Sequence, residues 1–119
     1  MTPVLHAIAP GPVGGAETVV LGLLQGLRVR GVNVGLAVLG STAESPFLAG
    51  VRALGVPVFA VGAGGRRYLK ERRALAESIA SHGARLIHTH GYRADIVGLF
   101  AARAAGVPVV ATAHGFTGG

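Results

Sequence analysis

The sequence predicts an α/β domain in which helices flank a parallel sheet of about five strands. Three observations carry that prediction. First, one phrase recurs: Gly31-Val32-Asn33-Val34, Gly55-Val56-Pro57-Val58 and Gly106-Val107-Pro108-Val109 each follow a helix-like stretch and open a β-branched run. A glycine after the last helical turn takes the left-handed conformation without Cβ strain. A proline opening a strand forfeits no ladder bond that matters. Second, apolar runs and helix-periodic stretches alternate along the chain. Third, the strand candidates are near-continuous Val, Ile, Leu and Ala, as a parallel sheet buried on both faces requires.

The elements follow in order. A strand over 4–9 leads through a glycine turn to a helix over 16–30, with Val20, Leu23, Leu24 and Leu27 on one stripe. A strand over 32–39 comes next. Ser45 as N-cap and Pro46 at the first helical position start a helix over 46–54. A strand over 58–61 precedes a helix over 67–81, with Leu69, Leu75, Ala76 and Ile79 facing inward. A strand over 86–89, a helix over 92–105 carrying Ile96, Leu99, Phe100 and Arg103, and a strand over 109–113 complete the series. Right-handed crossovers make this a Rossmann-like doubly wound sheet, with 1–119 as a single domain. Phe116-Thr117-Gly118-Gly119 reads as a loop after a strand, with no closing helix. In such sheets ligands sit beyond the carboxyl ends of the strands, near the switch point.

Composition narrows the class. Half of the 119 residues are hydrophobic and only 13% are charged, which excludes a disordered, highly charged segment. There are 20 glycines without a collagen period, so they punctuate turns. Cysteine is absent, so there is no disulfide, thiolate metal site or thiol nucleophile. Met1-Thr2-Pro3-Val4-Leu5-His6 lacks the features of a secretory signal, and the run Val19–Leu24 is far too short to span a membrane. The expectation is a soluble cytoplasmic domain.

Four segments carry candidate chemistry. Gly11-Pro12-Val13-Gly14-Gly15-Ala16-Glu17 lets the backbone approach a ligand at the N-terminus of the first helix, where N–H groups and the dipole suit a phosphate. It matches neither the dinucleotide fingerprint nor the P-loop, and no acid follows the second strand to hold a ribose. Glu17 is either a first-turn acid or a binding group. In Ile87-His88-Thr89-His90-Gly91-Tyr92, the two histidines share one strand face. No carboxylate lies close by, so no metal site is expected. His90 is expected in the cleft at the strand's carboxyl end, with Gly91 and Tyr92 opening the next helix, and His88 as an interior residue. Ala111-Thr112-Ala113-His114-Gly115-Phe116 again ends a strand in His-Gly, which makes His114 a candidate ligand contact.

The fourth segment, Arg66 to Arg73, holds five cations and one acid. It is either a solvated helix face or a docking site for an anionic partner formed by Arg66, Arg67, Lys70, Arg72 and Arg73. The chain's net charge is +6. With one interleaved aromatic and no binding motif, nucleic acid is disfavoured.

Together, Gly14-Gly15-Ala16-Glu17, His88-Thr89-His90-Gly91 and Val110-Ala111-Thr112-Ala113-His114-Gly115 resemble, in order and over essentially the whole chain, the N-terminal domain of the family-4 glycosyltransferases of the GT-B fold. The resemblance implies two Rossmann-like domains facing across a cleft. The N-terminal one binds the acceptor, and the C-terminal one holds the nucleotide-sugar. Transfer retains the anomeric configuration and generally needs no bound metal. No cofactor is implied beyond the nucleotide-sugar as co-substrate. Gly14-Gly15 then matches a backbone site near donor phosphates or an acceptor group. His114 matches the residue that contacts the donor sugar near the reacting centre and is the catalytic candidate. His90, Gly91, Tyr92 and Gly115 are substrate-binding candidates. Members acting on lipid-linked acceptors often dock through a basic surface of this domain, which implies a peripheral position at the inner face of the membrane for Arg66–Arg73.

Departures qualify the match. The paired glutamates of the family's C-terminal domain have no counterpart, and Ala84-Arg85 stands where an acid is common. The chain therefore reads as a partial N-terminal domain, inactive without its donor half. The alternatives are a stand-alone module for a nucleotide or phosphorylated ligand, or an interaction role through an open edge strand.

Overall fold

The computed structural model describes residues 2–11 and 15–112. The element order is β1 (Val4–Ile8), α1 (Gly15–Val29), β2 (Val34–Val38), α2 (Pro46–Ala53), β3 (Val58–Ala60), α3 (Tyr68–His82), β4 (Leu86–His90), α4 (Tyr92–Ala105) and β5 (Val109–Thr112). Every expected element is present. The five strands form one parallel sheet in the order β3-β2-β1-β4-β5. The sequence-predicted doubly wound class is therefore the observed one.

Local chemistry explains the boundaries. Gly31, Gly55 and Gly106 have φ of 79°, 76° and 71°, the left-handed stop that their recurring phrase predicts. Ser45 caps α2 by accepting a hydrogen bond from the Leu48 N–H, with Pro46 following at the start of the helix. Pro57 and Pro108 precede their strands and use only their carbonyls, which accept from Leu36 N–H and Ile87 N–H. Neither position needs the donor that proline lacks.

The period of two along each strand divides the core into two layers. On one face Ile8, Val34, Leu36 and Val38 pack with Val20 and Leu24 of α1 and Phe47, Leu48 and Val51 of α2. On the other, Leu5, Ala7, Ala37 and Ile87 pack with Leu75 and Ile79 of α3 and Ala94, Val97 and Ala101 of α4. Each fully buried leucine contributes about 1.5–3 kcal/mol. Helices α1 and α2 thus cover one face, and α3 and α4 the other. The chain changes direction between β1 and β4, where the switch point lies.

One inward expectation is corrected. Leu69 is 73% exposed. Helix α3 buries Glu71, Leu75, Ser78 and Ile79. At about 100° per residue, Leu69 lies two residues and roughly half a turn away from that stripe. Apolar character alone placed it on the wrong face. On α4, the buried side falls on Ala94, Val97, Gly98, Ala101 and Ala102, while Leu99 and Phe100 are exposed. Small residues let α4 sit close on the sheet: a Cβ at Gly98 would collide with Thr89 Cγ2.

Candidate functional site

The register puts the carboxyl ends of β1 and β4 side by side at the switch point. Ile8 ends β1 opposite His90, which ends β4. Beyond β1 the chain enters α1 at Gly15; beyond β4, Gly91 at φ 96° turns the chain into α4. Tyr92, the first residue of α4, is 80% exposed at this edge. The structure thus gathers Gly15, His90, Gly91 and Tyr92 at the carboxyl edge of adjacent strands. Gly14, His114 and Gly115 lie outside the described residues. Glu17 is a first-turn acid of α1 and accepts a hydrogen bond from Gly11 N–H at 3.2 Å. A cavity of about 260 Å³ opens between the first turns of α1 and α2, lined by Glu17, Thr18, Leu21, Pro46 and Phe47.

Both histidines of β4 lie beside a third, on β1. His90 stands at the carboxyl end of β4 and is only 2% exposed. Its Nε2 is 2.9 Å from Nδ1 of His6, a buried residue of β1. His88, expected as the interior residue, is the less buried of the two and pairs with the Thr112 hydroxyl on β5. Residues two apart on a strand share one face, as His88 and His90 do. His6 and His88 are registered partners, and this sets the three rings together. His88 stacks on His6 and His90, with centroids 4.8 Å and 4.3 Å apart, and the near-parallel His6 and His90 rings have centroids 5.2 Å apart.

By residue type and proximity alone the three rings could hold a metal ion, one ligand atom of each lying within 4.8 Å of the others. Their orientation is that of a hydrogen-bonded pair. The 5.2 Å centroid separation equals the 2.9 Å contact plus two ring radii only if both nitrogens lie on the line between the centroids. The lone pair of one nitrogen therefore points at the other. An ion on that line would lie closer to each nitrogen than a bond of about 2.0–2.1 Å allows. Burial, with the nearby His88 ring adding to it, lowers the His6 pKa from 6.5 to about 4, so the ring is neutral at physiological pH.

A second cluster was invisible in the sequence. Glu71, the one acid of the Arg66–Arg73 stretch, is fully buried. Its Oε2 accepts from Gly40 N–H at 2.7 Å and Ala63 N–H at 3.0 Å, and its Oε1 from Arg93 Nε at 2.8 Å. Arg93 Nη1 donates to the Gly65 carbonyl at 2.6 Å, and its guanidinium lies 4.7 Å from the centre of the Tyr68 ring. Burial pushes the Glu71 carboxyl up, but the hydrogen bonds from Arg93, Ala63 and Gly40, with Arg93's charge, outweigh it and the net shift is downward. The knot ties the loops after β2 and β3 to the first turn of α4, all at the ligand-facing edge. The only sequence signal was a lone acid among five cations.

The basic stretch is otherwise as expected: Arg66, Arg67, Lys70, Arg72 and Arg73 are all exposed. Leu69 stands among them, and Arg72 lies 5.8 Å from the centre of the half-exposed Phe100 ring. No helix is long and apolar enough to cross a membrane among the described residues.

The decisive comparison is with a family profile. Residues 13–118 match that of Glycosyltransferase Family 4. The chain belongs to that family. The match spans all three strand-end motifs, so the resemblance seen in the sequence holds. None of the curated proteins matches the chain. Among solved structures it is similar to MurG of Acinetobacter baumannii, at TM-score 0.75 and 20% identity, covering 99% of this chain and 38% of that one. It is also similar to HepE of Anabaena in complex with UDP and glucose, at TM-score 0.70 and 20% identity, covering 93% and 29%. A third is UDP-GlcNAc 2-epimerase from Neisseria meningitidis bound to UDP-GlcNAc, at TM-score 0.67 and 10% identity, covering 92% and 31%. At such identities the likeness concerns the fold, which matches the N-terminal half of GT-B glycosyltransferases. The chain spans about a third of the length of the solved chains it matches.

Proposed function

We propose that this family-4 chain is the acceptor-binding N-terminal domain of a retaining, nucleotide-sugar-dependent glycosyltransferase. The observation that carries the reading is the adjacency of two family motifs at the switch point: the glycine turn into α1 and His90-Gly91-Tyr92 into α4. The N-termini of α1 and α4 follow these strand ends, at the edge where such sheets take ligands. His114, two residues past β5, is the proposed contact to the donor sugar, with Gly14, Gly15 and Gly115 supplying close backbone approach. The donor itself, a nucleotide-sugar as in the HepE complex with UDP and glucose, belongs to a second domain across the cleft. These 119 residues alone then form an incomplete domain without a donor pocket and do not transfer sugar.

The exposed cations Arg66, Arg67, Lys70, Arg72 and Arg73 support a peripheral position at the cytoplasmic face of an anionic membrane. Leu69 and Phe100 beside them add apolar side chains of the kind that enter the headgroup boundary.

The test is sugar transfer by the full product of the gene, with and without His114→Ala. Loss of turnover by about 10²-fold or more, with the fold intact, supports the reading. Transfer by the purified 119-residue chain alone, or an unchanged His114→Ala variant, overturns it.

A further inference from the structure

The pairing of His6 with His90 has consequences for acid conditions. The two rings meet end to end across the β1–β4 seam, and such a bond needs one N–H and one bare nitrogen. His6 is 1% exposed, and its other nitrogen, Nε2, has no hydrogen-bond partner among the described residues. The apolar layer around it includes Leu36 of β2 and Val20 and Leu24 of α1.

Proton accounting leaves one comfortable arrangement. With the hydrogen of His6 on Nδ1, donated to His90 Nε2, the orphan His6 Nε2 is a bare nitrogen rather than a buried N–H. Both rings are then neutral. A proton added to His6 lands on Nε2 and creates an N–H with no acceptor. A proton added to His90 Nε2 sets two N–H groups face to face, unless the hydrogen of His6 moves to Nε2, with the same result. Every route either breaks the pair or buries an unsatisfied donor.

We propose that His6 and His90 form a neutral imidazole latch that holds β1 to β4 at the switch point and releases in acid. Among the described residues, the titratable groups beside His6 are His88, stacked on both rings, and His90 itself. Strands β2 and β5 carry no titratable side chain. On α1, Glu17 bonds to Gly11 N–H and Arg28 to the Leu54 carbonyl. His88 joins the latch to β5 through the Thr112 hydroxyl, so release loosens three strands together. The latch stands on this geometry alone; its effect on sugar transfer rests on the function proposed above.

The sign follows from linkage. In the unfolded chain His6 takes its proton near 6.5, whereas in the fold it waits until about 4. Its contribution is full above about pH 6.5 and fades as pH falls toward 4. At pH 5 this group alone raises the unfolded-to-folded ratio about 30-fold relative to neutral pH. The experiment is a ring-nitrogen NMR titration of the ¹⁵N-histidine-labelled chain, with urea unfolding at pH 7.5 and 5.0 for the wild type and His6→Leu. The latch predicts a His6 ring that stays neutral, with its hydrogen on Nδ1, down to pH 5. It also predicts a loss of folding equilibrium on acidification about 30-fold larger in the wild type than in the variant. A His6 ring that titrates near 6.5, or equal losses in the two proteins, overturns it. If His6→Leu does not fold, the wild-type ring titration decides alone. None of these results bears on family membership, so failure of the latch and failure of the transferase reading are distinguishable.

Discussion

The carboxylate of Glu71 and the guanidinium of Arg93 meet at 2.8 Å and lock the loops after β2 and β3 to the first turns of α3 and α4 at the ligand-facing edge. Glu71 comes from the first turn of α3 and Arg93 from the first turn of α4. Between them they hold Gly40 after β2 and Ala63 and Gly65 after β3. Replacing Glu71 by Ala leaves two buried N–H groups and a cation without their acceptor. We expect a loss of about 3 kcal/mol in urea unfolding. Arg93→Lys keeps the charge but not the fork, and should recover only part of that stability. A Glu71→Ala chain as stable as the wild type contradicts the knot.

The same carboxylate sets a pH limit distinct from that of the histidines. Its folded-state pKa is lowered, so its contribution is present above its usual value of 4.5 and is lost as pH falls through the depressed one. Unfolding followed below pH 4.5 should therefore show an acid-dependent loss in the wild type that Glu71→Gln lacks. Equal pH slopes in the two proteins speak against a depressed Glu71.

Close packing of α4 on the sheet depends on Gly98. A Cβ there would strike Thr89 Cγ2, and Thr89 is fixed by donating its hydroxyl hydrogen to Asp95 Oδ1 at 2.7 Å. The Gly98→Ala substitution should cost about 1–3 kcal/mol through overpacking, although alanine is the better helix former by about 1 kcal/mol. A melting temperature equal to or above wild type shows that α4 can shift away without penalty.

Docking to an anionic surface makes a charge-dependent prediction. Vesicles containing phosphatidylserine should co-sediment the chain at low salt and release it near 0.5 M salt, where screening shortens the reach of the cations. Charge reversal at Arg66, Arg67, Lys70 and Arg73 should abolish binding, since each cation near the surface is worth about 1 kcal/mol. Binding that persists in that variant assigns the contact to another face.

Much of this was legible in the residues because it is encoded locally. The Gly-Val-x-Val phrases fix helix ends and strand starts through backbone conformation alone. Ser45-Pro46 fixes the start of α2 in the same way. What was not legible depends on register and helix phase. His6 lies 84 positions from His90, and only the β1–β4 pairing brings their rings together. Glu71 looked like one charge in a basic face, because its burial is set by where the α3 stripe falls over the loops after β2 and β3. The misplaced Leu69 has the same origin: the apolar residue lies off that stripe and the acid lies on it.

The central claim, that this family-4 chain is the acceptor half of a two-domain transferase, is tested most directly by the intact mass of the gene's product in its native host. The chain is 11.9 kDa and covers 29–38% of the solved chains named above. A two-domain transferase requires a product of roughly three times 11.9 kDa. A product of 11.9 kDa with no separate chain supplying the donor half would contradict it.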